Sequence, residues 1–165
     1  MTTRTMQIRA AARDDSAACA EIFAHYVLHT AANLEETPPA PEYFSRLIED
    51  PQIPFFVACE NEEICGYAYA DVLRSRCGYR RAMEVSVYVA AERIQRGGGG
   101  KLMDAVLRAL REDGMRAAVS FITLPNPRSV RLHEKYGFVR AGVMPGVGWK
   151  FNRAHDVGIW VNNLV

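Results

Sequence analysis

QRGGGGK, residues 95–101, lies between a predicted strand and a predicted helix. The strand, Ala82–Val89, alternates apolar side chains with other types. The helix follows with apolar residues at helical spacing: Leu102, Met103, Val106, Leu107 and Leu110. Four consecutive glycines remove every Cβ from this junction, which leaves the backbone N–H groups open to a ligand. Together with the positive end of the helix dipole, the pattern predicts a phosphate-binding turn.

Two other phosphate motifs do not fit these residues. A P-loop would need glycine at 95 and serine or threonine at 102, where the chain has Gln95 and Leu102. A dinucleotide-binding fingerprint that began at Gly97 would also need glycine at 102. A merely flexible connector is disfavoured, because glycine in a helix interior costs about 1 kcal/mol relative to alanine.

Further strand and helix patterns lie on both sides of the glycine turn. Those before it predict a strand, two helices and a hairpin: Met6–Ala10, a helix from Asp14 or Asp15 to Thr30, a helix from Pro41 or Glu42, Phe55–Cys59 and Ile64–Leu73. Those after it predict a strand, a short helix and two closing strands: Ala117–Thr123, Arg128–Tyr136, Phe138–Val143 and Val157–Val161. We therefore expect a single domain, 1–165, of the α/β (α+β) class. Its mixed, mostly antiparallel sheet should have about seven strands, flanked by about four helices.

Composition excludes several classes of protein. The 165 residues carry a formal charge of only +1, which gives no bulk attraction to nucleic acid or anionic membrane. The first ten residues lack the apolar stretch of a signal peptide, and no apolar run is long enough to span a bilayer. The four cysteines have no metal-site spacing. We expect a cytoplasmic protein with reduced thiols and no metal.

The glycine turn resembles the pyrophosphate loop of the GNAT acetyltransferase superfamily, [Q/R]-x-x-G-x-[G/A], at Gln95, Gly98 and Gly100. The resemblance extends over nearly the whole chain and narrows to the phosphinothricin N-acetyltransferase branch. The segments that carry it are Glu84 with Val87-Tyr88-Val89, Leu124-Pro125-Asn126, Ser129-Val130-Arg131-Leu132-His133-Glu134, Gly137-Phe138 and His155-Asp156-Val157-Gly158.

This resemblance implies acetyl-CoA as the cofactor and assigns its contacts. The loop would hold the pyrophosphate through Gln95, Arg96, Gly97, Gly98, Gly99, Gly100 and Lys101. Asn126 would contact the pantetheine arm, with Ser129 nearby on the following helix. Backbone N–H groups of a splayed strand at Val87, Tyr88 and Val89 would stabilise the negative charge that develops on the acetyl oxygen.

Glu84 is the predicted general base. A carboxylate on a strand of apolar and small residues must be paired, solvated or used in chemistry. Acyl transfer needs a base that takes the proton of the amine, and partial burial raises the pKa of a carboxyl group toward a useful value. The resemblance places the base of the branch at this position. A paired structural glutamate is the alternative.

His133 occupies the position where most of the superfamily has a tyrosine that protonates the departing CoA thiolate. Ser129 lies one helical turn earlier, on the same face, and histidine can donate a proton near neutral pH. A role in packing or support is an equal alternative for His133. Tyr136 is a second candidate acid, three positions away.

An arginine-rich loop precedes the strand of Glu84. Arg74 and Arg76, beside Tyr79, are predicted to grip a carboxylate or phosphinate group of the substrate; a solvated loop is the alternative. Leu34 lies at a pocket position where relatives often have an aromatic residue. Lys150 and His155 are predicted to close the pocket from the other side, with core packing as the alternative.

The expected function is acetylation of the primary amine of a small amino-acid-like substrate, of the phosphinothricin, methionine sulfoximine or sulfone type, by direct attack in a ternary complex. The alternatives are acetylation of a protein N-terminus or another metabolite, and a non-catalytic acyl-CoA-binding module. No nucleic acid or membrane partner is expected. A homodimer is implied by the branch.

Overall fold

Eleven helices and strands form one domain in the computed structural model, which describes residues 6–165 apart from the side chains of Gln95 and Arg96. The strands are β1 Gln7–Ala10, β2 Phe55–Glu60, β3 Glu63–Val72, β4 Ala82–Val89, β5 Ala117–Thr123, β6 Val139–Lys150 and β7 Arg153–Asn163. The helices are α1 Ser16–His29, α2 Pro41–Glu49, α3 Gly98–Glu112 and α4 Pro127–Lys135. The predicted fold class is confirmed.

The strands form one sheet in the order β1-β2-β3-β4-β5-β7-β6. Every neighbouring pair is antiparallel except β4 with β5, which run parallel. The parallel pair is connected by α3, as a crossover between parallel strands requires. The glycine turn therefore lies at the end of β4, in the middle of the sheet.

Both faces of the sheet carry an apolar core. On one face, α3 buries the residues predicted from its spacing: Leu102, Met103, Val106, Leu107 and Leu110. On the other face, α1 and α2 cover β2 and β3, with Val27, Phe44 and Tyr67 almost fully buried. Because both faces are covered, the polar backbone at the centre of the sheet is shielded from water except where two strands part.

The closing strands are longer than predicted. The predicted strands ended at Val143 and began at Val157, because Pro145, Gly146 and Gly148 are typical of a loop. In the structure β6 continues through these residues with two irregularities in its register. Bulges accommodate proline and glycine within a strand. The hairpin then turns at Phe151 and Asn152, both with positive φ.

The helix after the glycine turn begins earlier than its apolar pattern indicates. Three of the four glycines, Gly98–Gly100, form its first turn, and Gly97 is the N-cap residue with a φ of 81°.

No helix in residues 6–165 is both long and apolar enough to cross a bilayer. Cys19, Cys59, Cys65 and Cys77 are free thiols, of which only Cys77 is exposed.

Candidate active site

The central feature of the site is a cleft between β4 and β5. These strands pair only over Ala82–Glu84 and Ala117–Val119, and then separate. Ser120 marks the point of separation, because its hydroxyl donates a hydrogen bond of 3.0 Å to the Val85 carbonyl. Beyond this bond the cleft widens into a cavity of about 650 Å³.

The backbone of β4 offers polar groups to this cleft. In the antiparallel pair with β3, Ala90 donates to the Cys65 carbonyl, so the even-numbered residues of β4 bond to β3. The odd-numbered residues, Val87 and Val89, therefore direct their N–H groups toward β5. The Val89 carbonyl already accepts a hydrogen bond of 2.5 Å from the Tyr26 hydroxyl. The splayed strand that the resemblance implied is thus present.

The wall of the cavity includes residues that were predicted to bind the cofactor and residues that were predicted to be catalytic or to bind the substrate. On the cofactor side these are Val87, Tyr88, Val89, Gly97, Gly99, Gly100, Lys101, Asn126 and Ser129. The predicted catalytic residues Glu84 and His133 lie on the same wall, as does Leu34. The predicted contacts of the Gln95 and Arg96 side chains lie outside the described part of the chain.

The first turn of α3 faces the cavity with little side-chain cover. The first four N–H groups of a helix have no partner within the helix and carry partial positive charge. A Cβ added at Gly100 would lie 2.7 Å from the Tyr136 hydroxyl, so the turn and this tyrosine approach more closely than alanine would comfortably allow. Gly98, in contrast, lies against the Met6 side chain and is absent from the cavity wall. The turn can bind an anion through its backbone.

Asn126 opens the last helix of the site. It is the N-cap residue of α4, and its Oδ1 accepts a hydrogen bond of 3.2 Å from the Ser129 N–H. The cap holds the start of α4 against the cleft, opposite β4. This placement brings Asn126 and Ser129 to the cavity wall.

Glu84 lies at the narrow end of the cleft and is the last residue of β4 that pairs with β5. Burial raises the pKa of its carboxyl group, and the negative charge of Asp71, directly opposite on β3, raises it further. Glu84 takes part in none of the ion pairs found within the described residues. Its environment suits a base that is half-protonated nearer to neutral pH than an ordinary carboxyl group.

His133 is buried, and its hydrogen bonds fix its tautomer. Its Nδ1 lies 2.8 Å from the Ser129 backbone carbonyl, which can only accept, so Nδ1 carries the proton. Burial lowers the pKa of the ring, which favours the neutral form. Nε2 is then an acceptor, and it has no partner within the described residues. The predicted role of His133 as an acid would require a proton on Nε2, and in this tautomer Nε2 carries none.

Several predicted substrate residues lie away from the cavity wall. Arg74, Arg76 and Tyr79 are exposed, and the Arg74 guanidinium stacks 5.8 Å from the centre of the Tyr79 ring. His155 is buried, with Nε2 donating a 2.9 Å hydrogen bond to the Lys150 carbonyl. Lys150 is buried too, and its ammonium donates to Asn33. The observed contacts of Lys150 and His155 agree with the alternative that these two residues pack within the protein.

Sequence reasoning missed three side chains of the site. Tyr26 and Ser120 bond the backbone of β4, and Asn33 lines the cavity beside Leu34. The helical spacing of Tyr26 in α1 predicts only that it lies on the apolar face of that helix. Asn33 in its loop and Ser120 within its strand follow no periodic pattern. The role of such a residue depends on the distant backbone groups that it contacts in the fold.

Comparisons with known proteins agree with this geometry. Residues 16–138 match the family described as acetyltransferase (GNAT). The chain is 37% identical to an L-methionine sulfoximine/L-methionine sulfone acetyltransferase of Salmonella typhimurium, covering 92% of this chain and 91% of that one. It is 33% identical to a phosphinothricin N-acetyltransferase of Streptomyces viridochromogenes, over 95% and 87%.

A solved structure is similar over almost the whole length. It is the structure of a protein from Salmonella typhimurium described as a putative acetyltransferase with its cofactor acetyl-CoA. Its TM-score is 0.93 at 36% identity, and the match covers 97% of this chain and 94% of that chain.

Replacing Gly97 by alanine should weaken acetyl-CoA binding about tenfold, because a side chain at φ 81° costs about 1 kcal/mol or more and reorients the turn. Gly114 is the matched control, since it also has a positive φ and open space around it, at the far end of α3. Calorimetric titration with acetyl-CoA separates the two variants. Equal affinity of Gly97→Ala and Gly114→Ala would show that the turn does not hold the cofactor.

Proposed function

Because this chain belongs to the GNAT acetyltransferase family, we propose that it moves the acetyl group of acetyl-CoA onto the primary amine of a small amino-acid-like molecule. It is an acetyl-CoA-dependent N-acetyltransferase. The observation that carries the proposal is the joint exposure of Glu84 and the glycine turn in one cleft. Relatives named for phosphinothricin, for methionine sulfoximine or sulfone and for L-amino acids support the substrate class.

The cleft has groups that suit both the pyrophosphate and the extended arm of acetyl-CoA. The first turn of α3 offers unpaired N–H groups that suit a pyrophosphate. The outward N–H groups of Val87 and Val89 suit the amide groups of an extended arm, since they can extend a sheet ladder. Asn126 and Ser129 line the opposite wall. Acetyl-CoA supplies an activated thioester, and the remaining steps belong to the protein.

Glu84 acts as the base, directly or through a water molecule. It takes a proton from the substrate ammonium, and the neutral nitrogen then attacks the carbonyl carbon of the thioester. N–H groups of the separated β4 stabilise the negative charge on the carbonyl oxygen. The C–N bond forms, the C–S bond breaks, and CoA leaves as a thiolate.

The leaving thiolate needs a proton, and two features of the cleft support our proposal for its donor. The Nε2 of His133 is an acceptor in the tautomer that the Ser129 carbonyl fixes, so this ring suits receiving a hydrogen bond rather than giving one. Tyr136 has its hydroxyl, which can donate a hydrogen bond, at the glycine turn. We therefore assign the donor to Tyr136 or to water, and His133 to positioning within the cleft.

Arg74 and Arg76 are proposed to hold the acidic group of the substrate. Their loop leads into β4, which begins at Ala82, two residues before the proposed base Glu84. Both guanidinium groups are exposed and so are open to a carboxylate. The same charge disfavours polycationic amines.

Replacing Glu84 by glutamine should lower kcat about 10²-fold to 10⁴-fold, because glutamine keeps the shape and loses the base. Affinity for acetyl-CoA should be unchanged. The assay follows release of free CoA thiol with free amino acids, their sulfone, sulfoximine and phosphinate analogues, and peptides as acceptors. Turnover on peptides alone would support the protein N-terminus instead. Absence of turnover by the wild-type protein on every acceptor, with intact acetyl-CoA binding, would support a non-catalytic binding module.

The pH dependence of kcat/KM should report Glu84. Activity requires the ionised carboxylate, so the rate falls as pH drops through its raised pKa. Asp71→Asn removes the opposing negative charge, so the pKa of Glu84 should fall and the acid limb should move to lower pH. Asp113→Asn, an exposed carboxylate at the end of α3, serves as the control. An unmoved limb in Asp71→Asn would contradict the assignment of that limb to Glu84.

We also propose a cytoplasmic homodimer. The free thiols suit a reducing compartment. Exposed apolar side chains on the β6–β7 hairpin suit a contact between two copies of the chain: Val147, Trp149 and Phe151.

Light scattering should give twice the 18.5 kDa of one chain. Trp149→Asp should give a monomer, while Val139→Asp at the other end of β6 should not; a wild-type monomer would refute the proposal.

A further inference from the structure

Three carbonyl groups of β4 point into the cleft, those of Val85, Val87 and Val89. They belong to the odd-numbered residues, which direct their polar groups toward β5 because the even-numbered residues bond to β3. The pairing with β5 ends at Glu84, so a strand partner no longer reaches these carbonyls. Each of them is therefore open to a side chain or to a ligand.

Side-chain hydroxyls bond the first and the third of these carbonyls. Ser120, on β5, donates a hydrogen bond of 3.0 Å to the Val85 carbonyl. Tyr26, on α1, donates one of 2.5 Å to the Val89 carbonyl. Among the side-chain hydrogen bonds found in residues 6–165, none reaches the Val87 carbonyl, which lies between these two. The Val87 carbonyl is therefore left for a ligand.

The packing around both hydroxyls holds them in place. The Tyr26 ring makes an edge contact with the Tyr88 ring, with 5.2 Å between their centres. Burial raises the pKa of the Tyr26 phenol, so this hydroxyl keeps its proton and stays a donor. Ser120 is 2% exposed, and both Tyr26 and Ser120 line the cavity. Fixed hydroxyls at these positions compete with any ligand N–H for the same two carbonyls.

An extended ligand that adds to a strand is positioned by the carbonyl that accepts its N–H. The next equivalent carbonyl lies two residues away, about 7 Å along the strand. A slip of this size would carry the thioester of acetyl-CoA out of reach of an amine held at Glu84, because attack needs reacting atoms about 3–3.5 Å apart. We propose that Tyr26 and Ser120 are positioning residues that set the register of the acetyl-CoA arm on β4, by occupying the carbonyls on either side of Val87. This inference rests on the proposed binding of acetyl-CoA in the cleft.

Tyr26→Phe tests the first hydroxyl, since it keeps the ring and opens the Val89 carbonyl to the arm. A second, unproductive register should then compete with the productive one. Unproductive binding lowers kcat and the KM for acetyl-CoA by the same factor and leaves kcat/KM unchanged. The expected factor is about three to ten, the effect of one hydrogen bond. Steady-state kinetics with an amino-acid acceptor that the wild-type protein acetylates measures both constants.

Ser120→Ala should give the same pattern, because it opens the Val85 carbonyl, and Ser120→Thr should restore the wild-type constants, because it returns the hydroxyl. Two controls remove a hydroxyl away from the cavity wall. Tyr43→Phe changes an exposed ring on α2, and Ser45→Ala removes a hydrogen bond of 3.0 Å from a buried serine to the Glu42 carbonyl. Both controls should keep the wild-type kcat and KM.

Other kinetic patterns would overturn the inference. A higher KM with unchanged kcat would mean that the hydroxyls only add affinity, and a lower kcat with unchanged KM would mean that they act on the reaction itself. Constants equal to those of the wild type, or weaker binding of acetyl-CoA to Tyr26→Phe by calorimetry, would also contradict it. All of these outcomes leave the proposed function intact, whereas absence of wild-type turnover on every acceptor would refute that function, and this inference with it.

Discussion

The short contact between β4 and β5 is the constraint on which the site depends. Parallel pairing lasts for only three residues on each strand, and the Ser120–Val85 hydrogen bond closes it. If the pairing continued, the N–H groups of Val87 and Val89 would be used in the sheet. Because it stops, a strand at the centre of a covered sheet keeps unpaired donors facing a cavity. The cost of these donors is compatible with stability only where a ligand or water satisfies them.

Most of the fold could be predicted from local patterns. The apolar spacing of α3 and the alternation of β4 were clear because each follows one periodicity over several turns or residues. The glycine turn and Glu84 stood out because glycine runs and isolated carboxylates are unusual in such elements. The family, the enzyme class and acetyl-CoA as cofactor, all implied by the resemblance to the GNAT superfamily, are confirmed.

The remainder depended on contacts between distant residues. Pro145 and Gly148 are typical of a loop, yet they lie within β6 because bulges accommodate them. The acid role predicted for His133 rested on its position, whereas its tautomer follows from a backbone carbonyl that no pattern reveals. Lys150 was assigned to the substrate, and its ammonium instead bonds a loop 117 residues away. Sequence spacing carries no information on such pairings.

The contact of Met6 with Gly98 links the residue before β1 to the glycine turn. The Met6 side chain is buried against the first turn of α3, and the Lys101 ammonium donates to the Met6 carbonyl at 3.3 Å. Oxidation of this thioether would bring a polar sulfoxide oxygen against closely packed backbone. Oxidative damage at Met6, far from Glu84 in sequence, would thus disturb the glycine turn that we propose binds acetyl-CoA.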